Sequence, residues 1–324
     1  VNGTENLVAV ISWRRARLDI ALITADNKIA FRDQIPLTEE EDKVDKITST
    51  FFNIMKPKVG DRRIMGLCII IPGIIDAENK RILSTVIGVG YSDPVVQRFE
   101  EAFHDYPFCL LNDTACFAYA EYVFANITEP NFAYINVSKG VGACLFANGK
   151  MLRGAGSNAT QFGHFSVDRN GPLCACGNHG CVERVVGENA LTERAEACGI
   201  DLTRFAGRKP LYCDIGAMAE DGDVHAKELI KDLAVDLSFA ISNLITLFNP
   251  SLVVIGGMGV NLGPFFLSNI RDEVQNSGFK EFVSNTWIQY STLGLDSELG
   301  GAARYYIDHY YDFFEQMQGG LYAD

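Results

Sequence analysis

Short apolar runs alternate with amphipathic stretches along the whole chain. Residues 7–12 (LVAVIS) and 18–25 (LDIALITA) are rich in β-branched and aliphatic side chains, Asp26-Asn27 supplies a turn, and 28–35 (KIAFRDQI) alternates as a third strand. Residues 39–56 open with acids and then space their apolar positions at helical intervals, which predicts a helix. A buried strand over 64–71 stops at Pro72-Gly73, and a helix over about 93–104, a strand over 107–111 and a helix over 113–126 follow.

The pattern then restarts. Strands at 131–137 and 141–147 meet at a hairpin whose next turn, Asn148-Gly149, returns the chain through Met151-Leu152-Arg153. A small-residue loop, Gly154 to Ala159, leads into a Cys/His-rich segment. Helices at about 183–198 and 223–247, a strand from Leu252 to Ile255 closed by Gly256-Gly257, a helix near 264–276, a strand at 287–291 and a helix over about 298–315 complete it. Two lobes that each open with a meander and continue through helix–strand alternation predict an internally duplicated α/β protein, the repeat lying in pattern and not in letters. Such lobes bind ligands at the carboxyl ends of strands, in the cleft between them.

Composition narrows the function classes. At 324 residues the chain exceeds what one core usually serves, and its 48% hydrophobic and 21% charged residues are those of an ordinary globular protein. No apolar run is long enough to span a bilayer, so no membrane insertion is expected, and the nine cysteines, scattered through apolar segments, do not form a disulfide framework. Cys68, Cys109, Cys116 and Cys144 are expected to be buried, inert thiols, and the chain to be cytoplasmic. A net charge of −13 and a single small basic cluster, Arg14, Arg15 and Arg17, argue against this segment holding DNA by itself.

The strongest chemical signal is 164-HFSVDRNGPLCACGNHGCVE-183. Cys174 and Cys176 flank one residue, Cys181 follows after Gly177-Asn178-His179-Gly180, and the glycines let the backbone fold back to gather three sulfurs. With an upstream histidine this makes a Cys₃His set, a closed tetrahedral zinc site, structural because four protein ligands leave no place for water. His179 competes for the fourth place, but its position on a short turn between ligand cysteines points it outward and favours His164. A metal-free knot of reduced cysteines is the alternative.

Gly163-His164 together with Cys174-Ala175-Cys176-Gly177-Asn178-His179-Gly180-Cys181-Val182-Glu183 resembles the signature of the ROK family of repressors, open reading frames and sugar kinases. Ile71-Pro72-Gly73-Ile74-Ile75-Asp76 resembles its Pro-Gly strand end, Asn112-Asp113 its catalytic dipeptide, Asn148-Gly149-Lys150 its hairpin, and Asn249-Pro250 the approach to the strand facing adenosine. The resemblance implies a duplicated actin-like, hexokinase-like (ribonuclease H-like) two-lobe fold with a structural zinc loop. The expected division is a smaller lobe over 1–122, joined by the C-terminal helix at about 298–318, and a larger lobe over 123–297 carrying the zinc loop and a dimer interface. A homodimer or tetramer with a hexose in the cleft is implied.

Within the family the chain is most similar to the transcriptional repressors of sugar metabolism, such as the glucose and N-acetylglucosamine repressors. Those carry an N-terminal winged helix-turn-helix that these residues do not contain, and the start at Val1 without Met fits a DNA-reading domain lying upstream. DNA contact is therefore expected only through such a domain, and the effector to be a sugar, a sugar phosphate or a regulatory protein partner.

The family's first phosphate loop reads Asp-x-Gly-Gly-Thr, where this chain has Ser12-Trp13-Arg14-Arg15-Ala16-Arg17. Its second, Gly-Thr-Gly-x-Gly, is here Ser138-Lys139-Gly140-Val141-Gly142. Bulky side chains replace the glycines that allow backbone N–H groups to approach phosphate, so ATP and magnesium are not expected as cofactors. The sugar side matches better. By the resemblance Asp113 would be the general base of a kinase, and Glu183 and Asn112 would line the sugar pocket with His164. Read structurally, Asp113 caps the helix that follows, Asn112 supports that cap, and Glu183 complements a helix dipole. Gln161 stands where the family has Glu, with one acceptor exchanged for a donor, which suggests an altered ligand or a lost one.

Overall fold

The computed structural model describes residues 3–76, 79, 81–85, 94–154 and 159–311. Three strands open it, β1 (Asn6–Trp13), β2 (Arg17–Thr24) and β3 (Ile29–Pro36). The first two are buried along nearly their whole length, as their unbroken aliphatic runs require, whereas β3 is a largely exposed edge closed by Pro36. Helix α1 (Lys43–Thr50), strand β4 (Arg63–Ile71), the hairpin β5 (Gly73–Asp76) and β6 (Arg81–Thr85), helix α2 (Val95–Ala102), strand β7 (Phe108–Asn112) and helix α3 (Asp113–Phe124) follow.

The acids at 39–41 stand ahead of α1 and not inside it. Asp42 is the cap, accepting from the Asp45 amide, while Glu41 accepts from the Thr38 amide and pairs with Lys46. Past Thr50 the helix widens into one π turn, Phe51–Met55, and tightens into a 3₁₀ turn, Lys56–Lys58, that contains Pro57. The helix expected to start at 93 starts at Val95, residue 93 itself lying outside the described residues. The β5–β6 hairpin carries no period-2 pattern and was not foreseen.

The second half contains β8 (Phe132–Val137), β9 (Val141–Ala147), β10 (Lys150–Met151), α4 (Val182–Val186), α5 (Glu188–Ala197), α6 (Tyr212–Glu220), α7 (Val224–Phe248), β11 (Leu252–Gly256), α8 (Gly263–Gln275), α9 (Lys280–Ser284) and β12 (Trp287–Tyr290). Helix α10 (Ser297–His309) comes last and ends at the cap residue Tyr310, short of the expected 315; residues 312–315 lie outside the described residues, as does most of the 154–159 loop. The single helix expected over 183–198 is two, because Gly187 is extended and the Glu188 amide turns to the Lys139 carbonyl. Helix α7 ends as its letters indicate: Asp223 caps it through the His225 and Ala226 amides, and Asn249 takes the left-handed conformation just ahead of Pro250.

The two sheets repeat one plan. Their orders are β3-β2-β1-β4-β7 and β10-β9-β8-β11-β12, each an antiparallel meander beside parallel strands. The chain separates into two compact units, one running Val1–Ile127 and resuming at Asp296, the other holding most of Thr128–Leu295. Each has its own core. Leu7, Ile11, Ile69, Phe51 and Phe99 fill the first, and Ile135, Val253, Leu233, Ile241 and Phe266 the second. Cys68, Cys109, Cys116 and Cys144 are buried thiols within these units, and burial pushes Cys144 up to about 12.

Candidate functional site

In the first unit the parallel strands present their carboxyl ends together. Ser12 pairs with Ile70, and Ile71 with Asn112, so β1, β4 and β7 finish at one level. Asn112 is the cap of α3: its Oδ1 accepts from the Ala115 amide at 3.0 Å, and its Nδ2 donates to the Gly73 carbonyl at 2.6 Å. The capping role considered for Asp113 therefore belongs to its neighbour. Asp113 is the first helical residue, half-buried, and its Oδ1 accepts from the Thr114 amide at 2.7 Å. Burial raises its carboxyl above the ordinary range, opposed by the charge of Arg14.

Arg14 begins the three-residue turn between β1 and β2, which closes through the Arg14 amide to the Arg17 carbonyl at 2.9 Å. Its guanidinium pairs with Glu298 of α10 and lies 3.6 Å from Asp19. Asp19 is held further by Arg17 at 2.9 Å and by Gln34 at 2.8 Å. Glu298 is 1% exposed, its Oε2 has no hydrogen-bond partner among the described residues, and burial pushes its carboxyl up to about 7 against the pull of Arg14. This ion cluster went unread in the sequence, where the three arginines counted only as a weak basic patch; Glu298 carried no signal at all.

In the second unit the β8–β9 turn, which keeps Gly140, is also occupied from within. The Ser138 amide donates to the Gly140 carbonyl at 2.9 Å, and the Val141 amide reaches Glu183 Oε2 at 3.3 Å. A Cβ on Gly140 would stand 2.4 Å from that same oxygen. Glu183 thus sits in the first turn of α4 and also holds the β8–β9 turn.

Next to it lies the Cys/His loop. The ligand atoms of His164, Cys174, Cys176 and Cys181 all fall within 4.8 Å of one another. Cys174 Sγ is 3.5 Å from His164 Nδ1, and Cys176 Sγ is 3.6 Å from Cys181 Sγ. Those separations suit the edges of a tetrahedron around a metal with ligand bonds of about 2.0 to 2.3 Å. The Cys174 amide donates to Asn178 and the Gly177 amide to Cys174, which makes the tight turn. Gly180 has a positive φ of 58°, and a Cβ there would stand 1.8 Å from the Asp168 carbonyl. A hydrogen bond from the Asn178 backbone favours the thiolate at Cys176, whereas burial pushes Cys181 up to about 12. A bound cation would deprotonate Cys181 outright. His179 turns away, its Nδ1 3.0 Å from the Gly171 carbonyl.

His164 is delivered by a 3₁₀ turn, Phe162–His164, seated against β9 so closely that a Cβ on Gly163 would meet the Val141 carbonyl at 1.8 Å. Gln161, just ahead of it, lines an apolar cavity of about 240 Å³ with Leu145, Phe165, Leu244 and Phe248. Of the residues read from sequence, then, Asn112 and Asp113 lie in the first unit, and Gln161, His164 and Glu183 with the three cysteines lie in the second.

Residues 12–308 match the ROK family, and the chain belongs to it. The xylose repressor of Bacillus subtilis (strain 168) is 26% identical over 250 residues, covering 77% of this chain and 62% of that repressor, so the chain spans less than two thirds of its length. A solved ROK family transcriptional regulator, a homologue of the Escherichia coli Mlc protein, has a TM-score of 0.80 at 24% identity, covering 94% of this chain and 78% of that one. A ROK glucokinase from Streptomyces griseus, solved with glucose and AMPPNP, has a TM-score of 0.75 at 22% identity, covering 92% and 98%. These likenesses show the duplicated hexokinase-like fold that the motifs implied. No helix among the described residues is long and apolar enough to cross a membrane.

Proposed function

We propose that the chain is the effector-binding and oligomerisation part of a sugar-responsive ROK repressor, braced by one structural zinc ion on His164, Cys174, Cys176 and Cys181. The observation that carries this reading is the state of the two phosphate turns. Arg14 fills the first and is tied to Glu298 and Asp19, and Glu183 takes the Val141 amide of the second. The Arg14, Ser138 and Val141 amides, of the kind that cradle nucleotide phosphates, are engaged within the chain, and the Arg14 side chain fills the first turn. Asp113 and Glu183 keep carboxylate acceptors for sugar hydroxyls, and zinc would supply rigidity to the loop between His164 and Glu183. DNA contacts would come from residues outside this sequence, and effector binding would favour one of two arrangements of a homodimer or tetramer with different affinities for DNA. A regulatory protein partner is the other effector class that this reading admits.

Titration calorimetry without nucleotide against D-glucose, D-xylose and N-acetyl-D-glucosamine tests it, with saturable binding of at least one sugar expected. The likeness to a glucokinase solved with a nucleotide analogue favours a second reading, an ATP-dependent sugar kinase in which Asp113 is the general base. A coupled ADP-release assay over the same sugars separates the two: sustained turnover abolished by Asp113→Asn would replace the regulator with the kinase.

A further inference from the structure

Helix α4 is barely more than one turn long, so the carbonyls at its end have no following turn of their own helix to donate to them. Side chains from other helices take that part. Arg194 of α5 donates to the Val185 carbonyl at 2.9 Å and pairs with Asp236, which fastens α4 to α5 and α7. Tyr212 of α6 donates to the Val186 carbonyl at 3.0 Å and, from the same hydroxyl, to the Ser138 carbonyl at 3.0 Å. Ser138 opens the β8–β9 turn, so one hydroxyl bridges the helix that carries Glu183 and the turn that Glu183 grips.

The bridge is firm at its origin. Tyr212 is the first residue of α6 and is buried, and the Leu211 amide ahead of it is closed on Asp214, itself paired with Arg208. Burial pushes the phenol well above its ordinary range, so it stays a donor. Helix and turn also meet through backbone: the Glu188 amide donates to the Lys139 carbonyl at 3.3 Å, and a Cβ on Gly187 would stand 3.1 Å from that oxygen.

We propose that Tyr212 is a positioning residue for the sugar site. Its hydroxyl sets the spacing between α4 and the β8–β9 turn, and so holds the Glu183 carboxylate with one oxygen on the Val141 amide and the other left for a sugar hydroxyl. Glu183 reaches that amide over 3.3 Å, just beyond the usual range of such bonds, so a small slip of helix against turn would break it and move the carboxylate. Two carbonyls drawn to one hydroxyl resist the slip. Cys181, the cap at the other end of α4, is tied by its place in the metal cluster, and Glu183 lies between the two anchors. The inference rests on the regulator reading only for the sugar that Glu183 would receive.

Backbone amide hydrogen exchange, followed by NMR in the full chain, reads the grip directly. Tyr212→Phe keeps the ring and removes the donor. Val141 exchange is expected to accelerate by about tenfold relative to Ile241→Val, a core change in the same unit that controls for general loss of stability. Tyr212→p-aminophenylalanine returns a donor to the same ring position and should bring the rate back toward wild type. If Tyr212→Phe unfolds, it and the control are both measured in sucrose, which favours the folded state without replacing the donor. Val141 exchange no faster in Tyr212→Phe than in the control overturns the proposal. Titration calorimetry with D-glucose, D-xylose and N-acetyl-D-glucosamine gives the functional arm. Affinity for a bound sugar should fall about fivefold in Tyr212→Phe, but by less than about twofold when the same change is added to Glu183→Gln. Equal losses in both backgrounds would mean that the tyrosine does not act through Glu183, and would overturn it too. If wild type binds none of the three sugars, the regulator reading fails for them, while the exchange rates still decide the role of Tyr212.

Discussion

Asn112 uses both ends of its amide, one to cap α3 and one to hold the Gly73 carbonyl. Asn112→Ala should therefore lower stability by about 1–3 kcal/mol, the loss of a cap plus a deserted carbonyl, read from denaturant midpoints; Asn112→Asp, which keeps only the cap, should fall between. Glu298 predicts a pH dependence. Its folded pKa of about 7 lies above the ordinary 4.5, so the folded state binds its proton more tightly. Its contribution is present in full below about 4.5 and is lost as pH rises through about 7, on the order of a few kcal/mol. Unfolding midpoints between pH 5 and 8 should decline in wild type more steeply than in Glu298→Gln; parallel slopes would remove Glu298 as the cause. At this scale the sequence was only partly legible. The Asn112-Asp113 pair stood out, yet which of the two caps depends on φ and ψ at one residue. Glu298 meets Arg14 across 284 positions, a separation no local pattern encodes.

Among the elements, the hairpin strand β9 and the 3₁₀ turn Phe162–His164 are in contact that only glycine permits. Gly163→Ala must push that turn off the Val141 carbonyl and carry His164 away from the three sulfurs. The expected outcome is purified protein with well under one equivalent of zinc by elemental analysis, against one for wild type, and a melting temperature lowered by several degrees. Ala at the exposed neighbour Phe165 should leave the zinc content unchanged. The strands and long helices follow from apolar periodicity because each buries a continuous face. The misread elements are those where contact overrides pattern: α1 starts late because Asp42 outcompetes the earlier acids as cap, and α4 and α5 part where the Glu188 amide finds Lys139. The metal loop was readable because its ligands lie within one short segment.

For the whole molecule, two separate cores predict two separable responses. A chelator strong enough to remove zinc should lower the melting transition of the second unit by several degrees and leave that of the first nearly in place, as scanning calorimetry would show; Cys181→Ser should reproduce the effect without chelator. A common shift of all transitions would mean that the units unfold as one. The duplication was visible in the repeated order of meander and helix–strand alternation, and the sheets reproduce it strand for strand. Of the candidate sugar contacts, Asn112 and Asp113 lie in one unit and Gln161, His164 and Glu183 in the other.

Helix α10 belongs to the unit that begins at the opposite end of the chain. Tyr306 donates to the Met65 carbonyl at 3.0 Å, Gly301 leaves room for the Cys116 carbonyl, and Glu298 receives Arg14. During synthesis the ribosome therefore releases every strand of the first unit long before the helix that completes it. The second unit, which lies within Thr128–Leu295, has all its parts available earlier. The first unit must wait, partly assembled, for α10, so a stop codon falling between Leu295 and α10 would damage the first unit more than the second.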